Sequence, residues 1–173
     1  MNRHRALTLT AAAVLGLGVT LPSGDASGQG PITKDQLVGT WAYVSVVVER
    51  ADGTKVETFG PNPKGMLIFT ADGRYSLQLI RPDLPKIASK DRLKGTAEEN
   101  DAVAKGVLAH FGTYSVNEAD GSFTLHVEAS SFANDNGTDQ KRIVTSFTGD
   151  ELKWTNPTPT TPWIAHAVLR RVK

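Results

Sequence analysis

The sequence contains no cysteine and has no surplus of either charge. Without cysteine there are no disulfide bonds, no thiol nucleophile and no zinc–thiolate site, so stability must come from packing and backbone hydrogen bonds. Once Arg3, Arg5 and Asp25 of the predicted leader are set aside, the 19 basic and 18 acidic residues become 17 and 17. Such a balanced chain has no excess of basic residues with which to recruit nucleic acid or an anionic membrane.

Several catalytic signatures are also missing. The sequence has no Gly-x-Ser-x-Gly elbow of a serine hydrolase, no Gly-rich phosphate loop and no dinucleotide fingerprint. The remaining hypotheses are a metal site, acid–base catalysis without a cofactor, and ligand binding without chemistry.

The first 26 residues predict a cleaved signal peptide. A positively charged start, "MNRHR", precedes the apolar run "ALTLTAAAVLGLGVTL" and a small-residue zone with a cleavage site near Ala26. The apolar run is about 16 residues long, which is short for a membrane-spanning helix. The arginines do not form a twin pair, and no cysteine follows the run. We therefore expect an exported, periplasmic or extracellular protein without a membrane anchor, in which residues 27–36 lead into one domain at 37–173.

Four two-residue turns divide the mature chain into strands. Asp-Gly suits type I′ turns and Gly-Asp suits type II′, the connections of antiparallel hairpins, and the flanks are rich in strand-forming residues. The turns are Asp52-Gly53, Asp72-Gly73, Asp120-Gly121 and Gly149-Asp150. The predicted strands are 40–50, 54–59, 65–70, 74–81, 110–118, 123–130, 139–148, 151–156 and 164–172. This succession predicts an all-β fold, an antiparallel up-and-down barrel of eight or nine strands without exposed edges, with a sandwich as the alternative.

Two segments interrupt the strands. Residues 81–95 are rich in proline and charge, and "TAEENDAVAKGVLAHF" predicts one helix between about Thr96 and Ala109, across a barrel mouth or along its wall. Residues 155–163 contain three prolines and predict a loop.

The strand alternation separates an apolar face from a polar one. If Asp120-Gly121 are the two turn residues, Leu125 lies opposite Val116, and His126 and Glu128 share the other face. The next hairpin places Ile143, Phe147 and Trp154 on the apolar face and Arg142 on the polar one. With the apolar face inward, the predicted ligand-binding residues are Tyr43, Tyr114, Leu125, Ile143, Phe147 and Trp154.

His126 and Glu128 remain open to two interpretations. With the apolar face inward they are solvated wall residues; with a polar cavity they are an acid–base pair, the only catalytic candidates, and no catalytic residue is assigned. A closed metal site needs three or four ligands, whereas these two lie roughly 6–7 Å apart along the strand and His110 has the opposite parity. The sequence therefore predicts no metal and no cofactor.

A tryptophan marks the start of the first long strand. Gly39, Thr40 and Trp41 begin it, and a large aromatic residue at the first inward position can close one barrel end, with Arg170 or Arg171 of the last strand stacked on its indole. This Gly-x-Trp pattern resembles that of the lipocalins. More closely, the sequence resembles the bacterial lipocalin-like domain family over about residues 37–156. The matching segments are "LVGTW", "FGPNPKGMLIFTADGRYSLQLIRPD", "FGTYSV", "HVEAS" and "GTDQKR".

The resemblance implies a barrel with an internal pocket for small, mostly apolar molecules, and either a carrier or a cofactor-free isomerase or cyclase. Family-like polar positions are Arg81, Asp83, His126, Glu128, Thr138, Asp139, Gln140 and Arg142. Leu125 stands where members often carry a second histidine, which argues against a two-histidine mechanism. Three hypotheses follow: an exported binder of a small apolar molecule, a cofactor-free isomerase, cyclase or hydrolase using His126 and Glu128, or a structural or interaction module of the cell envelope. The oligomeric state is left open.

Overall fold

The computed structural model describes residues 32–159 and 161–173. The predicted signal peptide lies outside the described residues. Just before the barrel, helix α1 (Lys34–Leu37) forms one turn, and the Thr33 N–H donates to Gln36 Oε1 at 2.9 Å. No helix in this part of the chain is long and apolar enough to cross a membrane.

Nine antiparallel strands occur in the described residues, and eight of them close into a barrel. Each strand from β3 to β8 pairs with the next along the chain, and β1 pairs with both β3 and β9. The short strand β2 is added to the far end of β1. The strands are β1 Gly39–Glu49, β2 Lys55–Val56, β3 Lys64–Phe69, β4 Arg74–Ile80, β5 Val107–Asn117, β6 Ser122–Ser130, β7 Asp139–Phe147, β8 Glu151–Asn156 and β9 Ile164–Arg171. The predicted all-β up-and-down barrel is confirmed.

Two predicted boundaries differ from the structure. The strand predicted at 54–59 covers only Lys55–Val56, because the chain then enters a segment with two prolines and a left-handed residue, Asn62 (φ 55°). Helix α2 (Ala97–Gly106), with Thr96 as its N-cap, begins where it was predicted but ends before Ala109. Val107 pairs with Ile80 of the neighbouring strand β4, so the chain from Val107 onward belongs to β5 rather than to the helix.

One end of the barrel is packed solid; we call it the closed end. Helix α1 covers it, and the Trp41 indole N–H donates to the Leu37 carbonyl at 2.8 Å. Large side chains fill the layer below with almost no exposed area. They are Leu37, Trp41, Leu67, Phe69, Phe123, Leu152 and Leu169.

Arg171 stabilises the closed end through several contacts. Its guanidinium carbon lies 4.1 Å from the centre of the Trp41 ring, within the range of a cation–π contact. It also donates to the carbonyls of Gln36, Val38 and Gly149 at 2.6, 2.8 and 2.8 Å. Of the two arginines considered from the sequence, the structure therefore places Arg171 on the indole, whereas Arg170 is exposed.

The face assignment holds on β5 and β6 but is wrong for Ile143 and Arg142 on β7. The turn after β5 takes residues 118–121, so Leu125 lies opposite Tyr114 rather than Val116; a shift of two residues keeps the faces unchanged. On β7, Arg142 pairs with Phe123 and points inward, and Ile143 is 40% exposed on the outer wall. A bulge after Val144 changes the phase, so Phe147 turns back to the core.

Candidate functional site

The end opposite α1 is hollow; we call it the open end. A cavity of about 600 Å³ lies there, within the range of about 300–1,000 Å³ typical of small-molecule sites. Strand residues form its mostly apolar wall, and residues of α2 and of the connecting segments complete the lining: Thr58, Phe59, Arg81, Ala104, Lys105, Phe132, Pro159, Thr161 and Trp163. Apolar lining residues are Val46, Val48, Phe59, Leu77, Leu79, Val107, Leu108, Phe132, Trp163 and Ala165.

Strand β7 introduces polar groups into this apolar cavity. Gln140 pairs with Leu125 and Arg142 with Phe123, and residues directly opposite each other share a face, so both polar side chains point inward. Arg142 Nη2 donates to Gln140 Oε1 at 2.7 Å, and Nη1 donates to the Lys141 carbonyl at 3.3 Å. The cavity therefore contains a guanidinium that is only 3% exposed.

Aromatic and hydroxyl groups surround this guanidinium. The Trp154 ring lies 5.0 Å from the guanidinium carbon, and Tyr43 lines the same cavity. Deeper in the barrel, the Tyr75 hydroxyl and His110 Nδ1 are 2.9 Å apart in a hydrogen bond. These groups are buried together because alternate positions of β1, β4, β5, β7 and β8 face the barrel axis.

The local charge follows from burial. Burial lowers the pKa of Arg142 to about 10, while interactions with Tyr43, Tyr75 and Asp135 act in the opposite direction. Burial, with Arg142 as the second cause, lowers the pKa of His110 to about 4. Burial also raises the pKa of Tyr43. At neutral pH Arg142 is therefore positive, and Tyr43, Tyr75 and His110 near it are neutral.

Several buried polar atoms here have no hydrogen-bond partner among the described residues. They include Arg142 Nε, Trp154 Nε1 and Thr161 Oγ1, all of residues that line the cavity, and His110 Nε2 and Asp135 Oδ2. Burial raises the pKa of Asp135, against smaller opposing effects of Gln140 and Arg142. Its carboxylate forms no ion pair within 4 Å in this part of the chain. Buried polar groups are normally satisfied, so these groups need a partner that is a bound ligand or ordered water.

The six residues predicted to bind a ligand separate into three groups. Tyr43 and Trp154 line the cavity. Tyr114, Leu125 and Phe147 belong to the core instead: Tyr114 packs edge-on against Phe69 at 4.7 Å, and Phe147 lies 6.0 Å from Trp41. Ile143 lies outside. The alternation identified inward positions without showing how far along the barrel axis the cavity extends.

His126 and Glu128 lie on the outer wall. His126 Nδ1 is 2.6 Å from Asp139 Oδ1, and His126 Nε2 is 2.9 Å from the Ser115 hydroxyl. Glu128 forms a 2.8 Å ion pair with Arg74. These contacts join neighbouring strands across the surface, so the predicted acid–base pair does not face the cavity.

The order Ser115, His126, Asp139 reproduces the hydrogen bonds of a nucleophilic triad. A hydrolase also needs N–H donors aimed at the developing oxyanion, and these come from turns and helix ends. Ser115 instead lies within β5, opposite Thr124, where the backbone belongs to the sheet. We interpret the chain of contacts as cross-strand stabilisation. Nor do three potential metal-ligating side chains converge anywhere in the described residues.

Arg142 is the candidate site residue that the face assignment missed. The resemblance had marked Gln140 and Arg142 as family-like polar positions, but the strand alternation placed Arg142 outside. The signal that could have placed it is the length of the hairpin connections, since these decide which β6 residue each β7 residue faces.

The match to a family model agrees with the barrel. A lipocalin-like domain matches residues 38–169. A solved structure of a redesigned β-barrel is similar at 13% identity with a TM-score of 0.43, and the match covers 81% of this chain and 95% of that chain. No curated protein sequence matches significantly. Because the domain match extends over most of the chain, this protein belongs to the lipocalin-like domain family.

Proposed function

We propose that this protein is an exported carrier that binds a small, mostly apolar molecule inside the open end of its barrel. The observation that carries the proposal is the cavity of about 600 Å³ with its apolar wall. Burying a ligand there removes apolar surface from water, at about 25 cal/mol per Å². Dense packing at the closed end stabilises the barrel, so the open end can contain a cavity that accommodates the ligand.

Fluorescence titration with N-phenylnaphthylamine tests the binding function. Trp154 and Trp163 line the cavity, whereas Trp41 is enclosed in the closed end, so a bound probe quenches part of the tryptophan emission. Val46→Trp fills the cavity and should weaken binding about tenfold or more. Val44→Trp is the matched control, because a bulge after Tyr43 leaves Val44 38% exposed on the outer wall. Equal binding by both variants, or no binding by the unmodified protein, would refute the proposal.

Export is tested separately. The full chain, expressed in a secreting bacterial host, should appear in the periplasm or the medium with a new N-terminus near residue 27. Retention of the complete N-terminus in the cytoplasm would refute export and leave the binding function untouched.

A further inference from the structure

The buried guanidinium of Arg142 forms no ion pair within 4 Å among the described residues, and the Asp135 carboxylate acts on it only from a greater distance. Its hydrogen bonds go to the neutral side chain of Gln140 and to the Lys141 backbone, and no carboxylate lies within 4 Å of it in residues 32–159 and 161–173. A buried cation is destabilising unless it is paired and fully hydrogen-bonded. The protein retains one in a cavity wall that is mostly apolar.

The unpaired atoms of the cavity lining are donors. Arg142 Nε, Trp154 Nε1 and the Thr161 hydroxyl can each give a hydrogen bond and are buried without one, among the residues described. Trp154 lies directly beside Arg142. A group that accepts several hydrogen bonds and carries negative charge would satisfy both residues.

Two other cations reach the cavity mouth, but each already has a partner. Arg81 donates two hydrogen bonds to Asp83 at 3.0 and 2.8 Å, and Lys105 pairs with Asp101 at 2.8 Å. Both pairs are largely in solvent, where ion pairs contribute little. The strongest site for an anion is therefore deep in the barrel.

We infer that the natural ligand is an organic anion, a carboxylate or a sulfonate on an apolar body, whose charged group binds Arg142 and whose body extends along the apolar wall to the mouth. This inference rests on the proposed function and adds the charge and the orientation of the ligand. A charge-assisted contact in a water-poor site strongly favours the anion over a neutral molecule of the same shape.

A matched pair of probes tests the inference. Anilinonaphthalenesulfonate and N-phenylnaphthylamine share their ring system, and only the first carries a sulfonate. The unmodified protein should bind the sulfonate about 10–100-fold more tightly. Arg142→Met should reduce the ratio of the two affinities to about one. Arg170→Met, an exposed arginine on the outer wall, is the control for a general loss of positive charge.

Competition gives an independent reading on the unmodified protein. Dodecanoate should displace the bound sulfonate at a concentration about tenfold or more below that of dodecanol. This comparison needs no variant, so it stands even if Arg142→Met does not fold.

The outcomes separate the inference from the proposed function. Equal affinity for both probes, unchanged by Arg142→Met, overturns the anionic ligand and keeps the carrier. Loss of the preference in Arg81→Met rather than Arg142→Met places the anion at the mouth and also overturns the inference. If neither probe binds, the carrier function itself fails.

Discussion

The two ends of the barrel differ in how densely they are packed and in whether their buried polar groups have partners. At the closed end, Phe69 packs against Tyr114 and Phe123 at 4.7 and 5.4 Å, and Trp41 and Arg171 find hydrogen-bond partners. At the open end, the same sheet surrounds a cavity and leaves donors of buried side chains unpaired. Dense packing without strain stabilises, and a hollow with unsatisfied groups destabilises. The comparison indicates that one end stabilises the fold, while the other end contains the cavity of the proposed ligand site.

The largest expected effect is at the closed end. Trp41→Ala removes a fully buried ring and the partner of Arg171, and should lower the free energy of unfolding by about 3–5 kcal/mol. Urea denaturation measures this. Trp163→Ala, at the half-buried mouth, is the matched change and should cost less than about 1 kcal/mol. Similar losses in the two variants would contradict the division between the ends.

Acid should weaken the protein through His110. Its pKa is about 4 when folded and about 6.5 in the unfolded chain, so the unfolded state takes up the proton first as the pH falls. Stability is full above pH 6.5 and should decrease by about 3 kcal/mol by pH 4. The raised pKa of Asp135 acts in the opposite direction and offsets part of the loss near the acid limit.

His110→Gln is the control for this pH dependence. The variant removes the titrating ring and should flatten the stability profile between pH 6.5 and 4, as measured by urea denaturation at several pH values. An equally steep profile in the variant would assign the acid sensitivity to other groups.

Arg171 should stabilise the closed end by a smaller amount. Arg171→Met removes the hydrogen bonds to Gln36, Val38 and Gly149, and should lower the free energy of unfolding by about 2–3 kcal/mol. Arg170→Met, its exposed neighbour, should change it by less than about 0.5 kcal/mol. If thermal and urea unfolding show the same loss of stability for both variants, Arg171 does not specifically stabilise the closed end.

The open end should respond in the opposite direction. Arg142→Met replaces a buried charge that has no ion pair within 4 Å in the described part of the chain by an apolar side chain. It should raise the free energy of unfolding by about 1–4 kcal/mol and remove the preference for anions. Arg74→Met, which breaks an exposed pair with Glu128, should change it by less than about 1 kcal/mol. A large loss of stability in Arg142→Met would mean that this arginine is structural.

The smallest effect belongs to the outer wall. His126→Ala breaks the contacts with Ser115 and Asp139, but the side chain is 39% exposed, so stability should change by only a few tenths of a kcal/mol. Binding of both fluorescent probes should be unchanged. A loss of probe binding would return His126 to the list of functional candidates.

The turn residues explain why so much of the fold is predictable. Gly121 and Gly149 adopt positive φ values of 64° and 86°, which other residues rarely accept, so the chain must reverse there. The strands between the turns then follow from their β-branched and aromatic content. The predicted helix was longer than the observed one because local helix propensity does not take the pairing of Val107 with Ile80 into account.

The site was less predictable because a single bulge or a longer turn changes which side chain points inward. The prediction for Ile143 was wrong for this reason, whereas Leu125 kept its face because its register shift was even. Tyr114 and Tyr43 both point inward, yet only Tyr43 lines the cavity. Which inward residues line the cavity depends on their distance along the barrel axis from the end that α1 fills.

The sequence by itself determined the strand succession, the antiparallel order and the aromatic start of the barrel, because these depend on local backbone preferences and on period-two alternation. Only the tertiary structure decided that Arg142 and Gln140 face inward, that His126 and Glu128 face solvent, and that one end is solid and the other hollow. Those features depend on register and closure, which bring residues together from strands far apart in the chain. No local pattern contains that information.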